Sequence, residues 1–197
     1  ILLYDTTHVP VGDDQKQHLE LCRDIAQKFN NDFGMEDFLK FPEPLIQKEF
    51  SRIMSLKDPS KKMSKSELSD LSRINLTDDK DKIINKIKKA KTDPLPMPKN
   101  INEIEGRHEV QNLLGIYTSL NNSTLETSIK KFAGKNFSEF KHELSELLVH
   151  KIIPISEEIK KLLNDRSYLD SILLDGVEKA NKIASKKIIK IKEIVGF

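Results

Sequence analysis

From residue 109 onward apolar side chains recur at steps of three and four, and no other feature of the chain restricts its fold as strongly. Val110, Leu113, Leu114, Tyr117 and Leu120 form one stripe, and Phe140, Leu144, Leu147, Leu148 and Ile152 a second. Leu173, Val177, Ala180, Ile183, Ala184, Ile188 and Ile191 form a third. A 3.6-residue period places each stripe on one face of a helix, and such faces bury one another in a helical bundle. Pro154 has no amide proton for the preceding turn and is expected to end or kink the second helix. Composition agrees: 37% hydrophobic and 32% charged residues, with 7 Gly and 8 Pro among 197, suit a helix-rich globular chain and exclude disordered or collagen-like classes.

The first hundred residues read differently. Residues 1–4, Ile-Leu-Leu-Tyr, are a β-favouring apolar run, and Pro10 and Gly12 force a loop behind it. Leu19, Cys22, Ile25, Ala26 and Phe29 predict a helix starting near Gln15, with Asp14 at its N-cap, Gln17 three positions on, and Gly34 to end it. Strand, loop, helix is the order of an α/β unit. Residues 38–50, punctuated by Pro42 and Pro44, read as an irregular connection, 52–56 as a second apolar run, and 57–66 as a polar surface loop. Ile83, Ile84, Ile87 and Ala90 mark a helix stopped by Thr92-Asp93-Pro94, after which Pro94, Pro96 and Pro98 form a linker. A domain boundary is expected there, dividing the chain into 1–98 and 99–197. The opening run, with no Met and no polar lead-in, suggests a start inside a domain.

Charge settles little by itself. The 33 Lys+Arg against 31 Asp+Glu give +2, so nucleic-acid binding cannot be argued from the whole-chain balance. Lysines cluster at Lys61, Lys62 and Lys65, over residues 86–91 and over residues 186–192; the last two clusters suit solvated helix faces. Cys22 stands alone, which excludes an internal disulfide or thiolate metal site and fits a reducing, cytoplasmic setting. It falls on an apolar helix face and reads as packing. The five histidines lack metal-like spacing, and Tyr4, Tyr117 and Tyr168 read as packing aromatics. No run of about 18 apolar residues is present, so no membrane span is expected.

Two stretches carry chemistry. In Val9-Pro10-Val11-Gly12-Asp13-Asp14-Gln15 a glycine lets a ligand approach the backbone, two carboxylates can accept from sugar hydroxyls, and the following helix begins with free amide protons. On these residues alone, a plain helix cap at Asp14 explains the stretch as well. In Lys62-Met63-Ser64-Lys65-Ser66 two lysines and two serines in a flexible setting can wrap a polyphosphate with charge and hydroxyl donors. Charge supplied as pyrophosphate departs favours the transition state over the ground state.

The string KMSKS at 62–66 resembles the signature of class I aminoacyl-tRNA synthetases, and MSLKDPSK before it is similar to the bacterial-type tryptophanyl subgroup. VPVGDDQKQHLEL, from Val9, resembles the GEDQ region of the same family, with Asp13 where Glu is commoner. Further similarity runs through Glu105-Gly106-Arg107, Asn112-Leu113-Leu114, Gly134-Lys135 and Gly176-Val177-Glu178, so it covers nearly the whole chain. The resemblance implies the C-terminal part of a Rossmann-type catalytic domain followed by an α-helical anticodon-binding region, in a homodimer. It implies that ATP, with Mg²⁺, and tryptophan form tryptophanyl-adenylate, from which tRNA(Trp) takes the amino acid. Matched by position, Gly12, Asp13, Asp14 and Gln15 would hold the nucleotide, with Asp14 on the ribose. Ile53 and Met63 would contact adenine, while Lys62, Ser64, Lys65 and Ser66 would face the phosphates, and Val9 and Val11 the indole. These two stretches are expected to converge on one ATP. His108 stands where the family often has Pro, and Glu67 where Asp is usual. The family's HIGH-type motif has no counterpart in these residues, and catalytic silence of the chain alone is therefore expected. A tyrosyl-type synthetase and a non-catalytic RNA-binding module are the alternatives.

Overall fold

Extended backbone persists only where a partner satisfies its amides and carbonyls, and among the described residues the apolar start of the chain has no such partner. Leu2–Tyr4 close a 3-10 turn, not the strand their apolar character predicts. The structure, a computed structural model, describes residues 1–12, 15–46 and 52–197. Its chain gathers into two units, Ile1–Ser51 with Asp165–Phe197, and Arg52–Asn164.

In the first unit the strands lie in segments that read as loop and irregular connection. β1 (His8–Pro10) pairs in parallel with β2 (Glu43–Leu45), His8 opposite Glu43, Val9 opposite Pro44 and Pro10 opposite Leu45. The Val11 amide extends the ladder to the Leu45 carbonyl at 3.2 Å, and the Glu43 amide donates to the Thr7 carbonyl at 2.8 Å. Pro10 and Pro44 disguise these strands in a propensity reading, yet among the described residues the sheet has these two strands, each with an open edge where proline is tolerated. The crossover between them is α1 (Lys16–Asp32), which buries Leu19 and Ala26 and leaves Ile25 exposed. Asn30 folds the chain back behind it, its side chain accepting from the Leu39 amide at 3.0 Å and donating to the Leu39 carbonyl at 2.9 Å. Gly34, at φ 60°, takes the left-handed turn that ends α1 as expected. The predicted cap at Asp14 lies outside the described residues.

The same unit contains α6 (Arg166–Val195), whose first turn is capped by the Asp165 carboxylate accepting from the Tyr168 amide. The third apolar stripe does make a helix, but not a buried one: no residue of α6 is fully buried, and Leu173, Val177 and Ile183 are exposed. Periodicity determines the helix; burial needs a surface to meet it. The helix is fixed instead through Lys187, whose ammonium donates to Asp5 Oδ1 at 2.6 Å and to the Phe38 carbonyl, and sits 4.1 Å from the Phe38 ring centre. Tyr4 and Tyr168 are about half exposed, so only Tyr117 of the three tyrosines is a core aromatic.

The second unit holds the main core. α2 (Lys80–Lys89), capped by Asp79 on the Lys82 amide, contributes Ile83 and Ile87. α3 (His108–Leu120) is buried almost all round from Val110 to Thr118, which makes it the central helix. His108 occupies its first position, where proline is also favoured. α4 (Leu125–Phe132) and α5 (Phe137–Asn164) close over it. The Phe132 ring meets Tyr117 edge-on at 4.9 Å and Phe140 at 4.8 Å. α5 runs on through Pro154, so the proline does not end it; Ile152 and Ser156 on either side are buried and carry the helix past the missing hydrogen bond. Among the described residues no helix is long and apolar enough to cross a membrane.

Packing groups residues 52–98 with 99–164, a different division from the one the Pro-rich stretch suggests. That stretch is tied down: Met97 is buried and exchanges backbone bonds with Gly134 and Lys135, at 3.1 and 2.9 Å. Arg107 clasps Asp93 with two hydrogen bonds, 2.9 and 2.7 Å, and reaches the Pro96 carbonyl at 2.9 Å. Partial burial pushes the Asp93 carboxyl up, but the Arg107 hydrogen bonds, the Leu95 amide and the guanidinium charge outweigh it and hold it below the usual carboxylate range. A depressed carboxyl contributes stability above its unfolded-state pKa and loses it as pH falls through the lower folded value. The clasp is therefore intact at neutral pH and is expected to open below about pH 4. Asp93→Asn should flatten the acid side of a plot of unfolding midpoint against pH, followed by circular dichroism. Identical acid limbs in the two proteins would refute this.

Candidate active site

The 62–66 loop stands on a base fixed from two sides. Met54 and Lys62 form an antiparallel bridge, flanked by the Ser55 amide on the Lys61 carbonyl at 2.8 Å and the Met63 amide on the Ile53 carbonyl at 3.0 Å. The outer edge of Met54 is closed by Asn112 of α3, whose Oδ1 accepts the Met54 amide at 2.9 Å and whose Nδ2 donates to the Met54 carbonyl at 2.8 Å. A side-chain amide supplies one donor and one acceptor in the geometry of a neighbouring strand, so Asn112 replaces the missing strand. Behind it Leu56 is buried, its amide on the Ser72 carbonyl and its carbonyl accepting the Lys91 amide, both at 2.8 Å. Asp58 accepts the Ser60 hydroxyl at 2.6 Å and the Ser60 amide at 3.2 Å; that hydroxyl first, then the amide, hold its carboxyl below the ordinary value.

At the tip the Ser64 and Ser66 hydroxyls lie 2.8 Å apart, and the Ser66 amide donates to Ser64 Oγ at 3.2 Å. Lys62, Lys65 and Ser66 are exposed, while Ile53 and Met63 are half-buried against the main core. Among the described residues the Lys65 ammonium has no ion-pair or hydrogen-bond partner. The arrangement is a braced base carrying exposed cations and hydroxyls, groups suited to meeting an anion. Ile53, Lys62, Met63, Ser64, Lys65 and Ser66 thus come together in one unit.

The other predicted residues belong to the first unit. Val9 lies in β1, and Val11 and Gly12 continue from its carboxyl end, all three half-buried. The Gly12 carbonyl accepts the Gln15 amide at 3.0 Å, which turns the chain into α1. This is a strand tip running into a helix start, the place where parallel α/β units hold nucleotides. Asp13 and Asp14 lie outside the described residues.

A groove of about 830 Å³ opens between α2 and α5 of the second unit. Lys80, Lys88, Lys141, His142 and His150 line it with Phe137. Lys141 also donates to the Lys88 and Ala90 carbonyls at 3.1 and 2.7 Å, capping α2, and its burial pushes its ammonium below the ordinary value.

The strand-helix-strand unit, the bridged lysine-serine loop and the helices that carry it have a counterpart in a known family. Residues 1–151 match the tRNA synthetases of class I for tryptophan and tyrosine, and the chain belongs to that family. A tryptophan–tRNA ligase of Caulobacter vibrioides is 52% identical over 197 residues, which are all of this chain and 57% of that protein. The tryptophanyl-tRNA synthetase of Mycoplasma pneumoniae superposes with a TM-score of 0.84 at 31% identity, covering 100% of this chain and 58% of that one. The enzyme of Campylobacter jejuni, complexed with ADP and tryptophan, gives 0.71 at 32% identity, with 100% and 59% covered. The chain thus spans a little under three fifths of the length of these relatives.

Three residues important to the loop escape a reading of motifs. Asn112 sits in the buried stretch of α3 and was visible only as part of a family string. Lys86 reads as one of a solvated lysine cluster, yet it is 2% exposed and pairs with Asp78 at 2.6 Å and Asp70 at 2.8 Å. Its signal is positional: Ile83, Lys86, Ile87 and Ala90 share one helical stripe, so the lysine had to point inward. Arg73 carries no such signal.

Proposed function

We propose that the chain is part of a tryptophan–tRNA ligase, contributing the pyrophosphate-handling loop, part of the nucleotide and tryptophan sites, and the helical region that meets tRNA(Trp). In the first step a tryptophan carboxylate oxygen attacks the α-phosphorus of ATP. The bond from that phosphorus to the bridging oxygen breaks, and pyrophosphate leaves with the electron pair, giving tryptophanyl-adenylate. Lys62 and Lys65 neutralise the charge growing on the leaving phosphates, with Ser64 and Ser66 donating hydroxyl protons to them. Gly12, Asp13, Asp14 and Gln15 bind the nucleotide, Asp14 through the ribose; Ile53 and Met63 flank adenine; Val9 and Val11 flank the indole. The bridged base held by Asn112 is the observation that carries this reading, because it turns a lysine-rich stretch into a positioned one.

Mg²⁺ enters with ATP as part of the substrate. Residues 1–98 serve the Rossmann-type catalytic part and 99–197 the anticodon-binding part. Lys80 and Lys88 in the groove between α2 and α5, which also contains Glu146, support contact with a polyanion. A homodimer in the cytoplasm is the expected working form. The test is ATP–pyrophosphate exchange by the product of the complete reading frame, with tryptophan and tyrosine in parallel. Tryptophan-dependent exchange is expected, with none from the 197-residue chain alone; a tyrosine preference would overturn the assignment.

A further inference from the structure

The two arms of the 62–66 loop are held by different means. The incoming arm is held by backbone: the 54–62 bridge and Asn112. On the outgoing side the chain turns at Lys65 and Ser66, and between Met63 and Ser69 it makes no strand-like pairing of the kind that holds the incoming arm. Side chains do the work instead. Arg73 Nη1 donates to the Glu67 carbonyl at 2.9 Å and approaches the Ser69 carbonyl at 3.5 Å. Ser55 Oγ, from the base, donates to Glu67 Oε2 at 3.3 Å. Glu67 directly follows Ser66, so both tethers act one residue from the tip. Its extra methylene over aspartate lengthens the reach toward Ser55.

Arg73 is itself immobilised. Its side chain is 18% exposed, its Nε donates to Asn75 Oδ1 at 3.1 Å, and its Nη2 lies 3.4 Å from Asp70 Oδ1. Asn75 donates to Asp70 at 2.9 Å and to Asp78 at 3.3 Å, and the buried Lys86 joins those two carboxylates. A planar guanidinium anchored at Nε and Nη2 keeps Nη1 aimed at the Glu67 carbonyl, an orientation that a single ammonium on a flexible stem does not fix.

We propose that Arg73 is a positioning residue for the lysine-serine loop, setting where Lys65 and Ser66 stand by holding the carbonyl of Glu67. The catalytic half of this proposal rests on the ligase reading given above. Its structural half does not. In the product of the complete reading frame, Arg73→Gln keeps a polar side chain of similar length but loses the fork. Native-state trypsin cleavage after Lys65 is expected to quicken roughly tenfold or more, because the opened arm is more populated. The rate of tryptophan-dependent pyrophosphate exchange is expected to fall about 10- to 100-fold in kcat with KM for ATP within a factor of about three, the pattern of misplaced rather than missing binding groups. Arg73→Lys should restore part of both, and serves if Arg73→Gln folds poorly. Ser55→Ala, which removes the second tether alone, should quicken cleavage to a smaller extent. Wild-type cleavage rates in both Arg73 variants would overturn the proposal, as would a rise in KM with kcat unchanged. Should the wild-type product show no tryptophan-dependent exchange, the ligase reading fails, and the cleavage rates alone decide whether Arg73 positions the loop.

Discussion

Replacing Lys65 by alanine is expected to lower kcat for tryptophan-dependent ATP–pyrophosphate exchange by about 10²- to 10³-fold, with KM for ATP changed only a few-fold. The asymmetry follows from the geometry. An exposed ammonium without an internal partner contributes little to the ground state, in which water already solvates the phosphates. Under the proposed ligase reading it matters when negative charge accumulates on the departing oxygens, where a positioned cation lowers the barrier. For the same reason the fold should not notice the change, and the unfolding midpoint should correspond to less than about 0.5 kcal/mol of altered stability. Steady-state exchange kinetics on the product of the complete reading frame check both numbers. An equal loss in ground-state binding and no loss in kcat would remove Lys65 from the chemistry.

The second large effect concerns stability. Lys86→Met is expected to destabilise the Arg52–Asn164 unit by about 3–5 kcal/mol, measured by urea unfolding, because it leaves the Asp78 carboxylate buried without a counter-charge. Asp70, half exposed, is hydrated and suffers less. Adding Asp78→Asn to Lys86→Met removes the stranded charge, and much of the loss should return, a non-additivity diagnostic of a coupled pair. If the double variant were less stable than Lys86→Met alone, the lost stability would have to come from shape rather than charge.

How much of this was legible beforehand depends on whether a feature is periodic or relational. The helices over residues 80–89, 108–120 and 137–164 follow from apolar spacing, which survives any tertiary arrangement. The lysine-serine loop was legible from its letters. β1 and β2 were not, because each is three residues long, contains a proline, and exists only by pairing with the other across the length of α1. The same holds for Asn112, which lies 58 residues from the backbone it completes. Arg73 and Lys86 were missed for a related reason: a charged residue in a lysine-rich sequence gives no sign of which carboxylate or carbonyl will come to meet it. Ile1-Leu2-Leu3-Tyr4 erred in the opposite direction, with strand propensity but no described strand beside it.

The way the chain shares itself between its two units also orders events on the ribosome. Everything that Arg52–Asn164 needs has been translated once residue 164 emerges, so that half can condense while synthesis continues. Asp5 must wait for Lys187, 182 positions later, an interval on the order of 10–40 s at roughly 5–20 residues per second. Until then the Asp5 carboxylate and the Phe38 carbonyl lack the Lys187 ammonium that joins them in the finished unit.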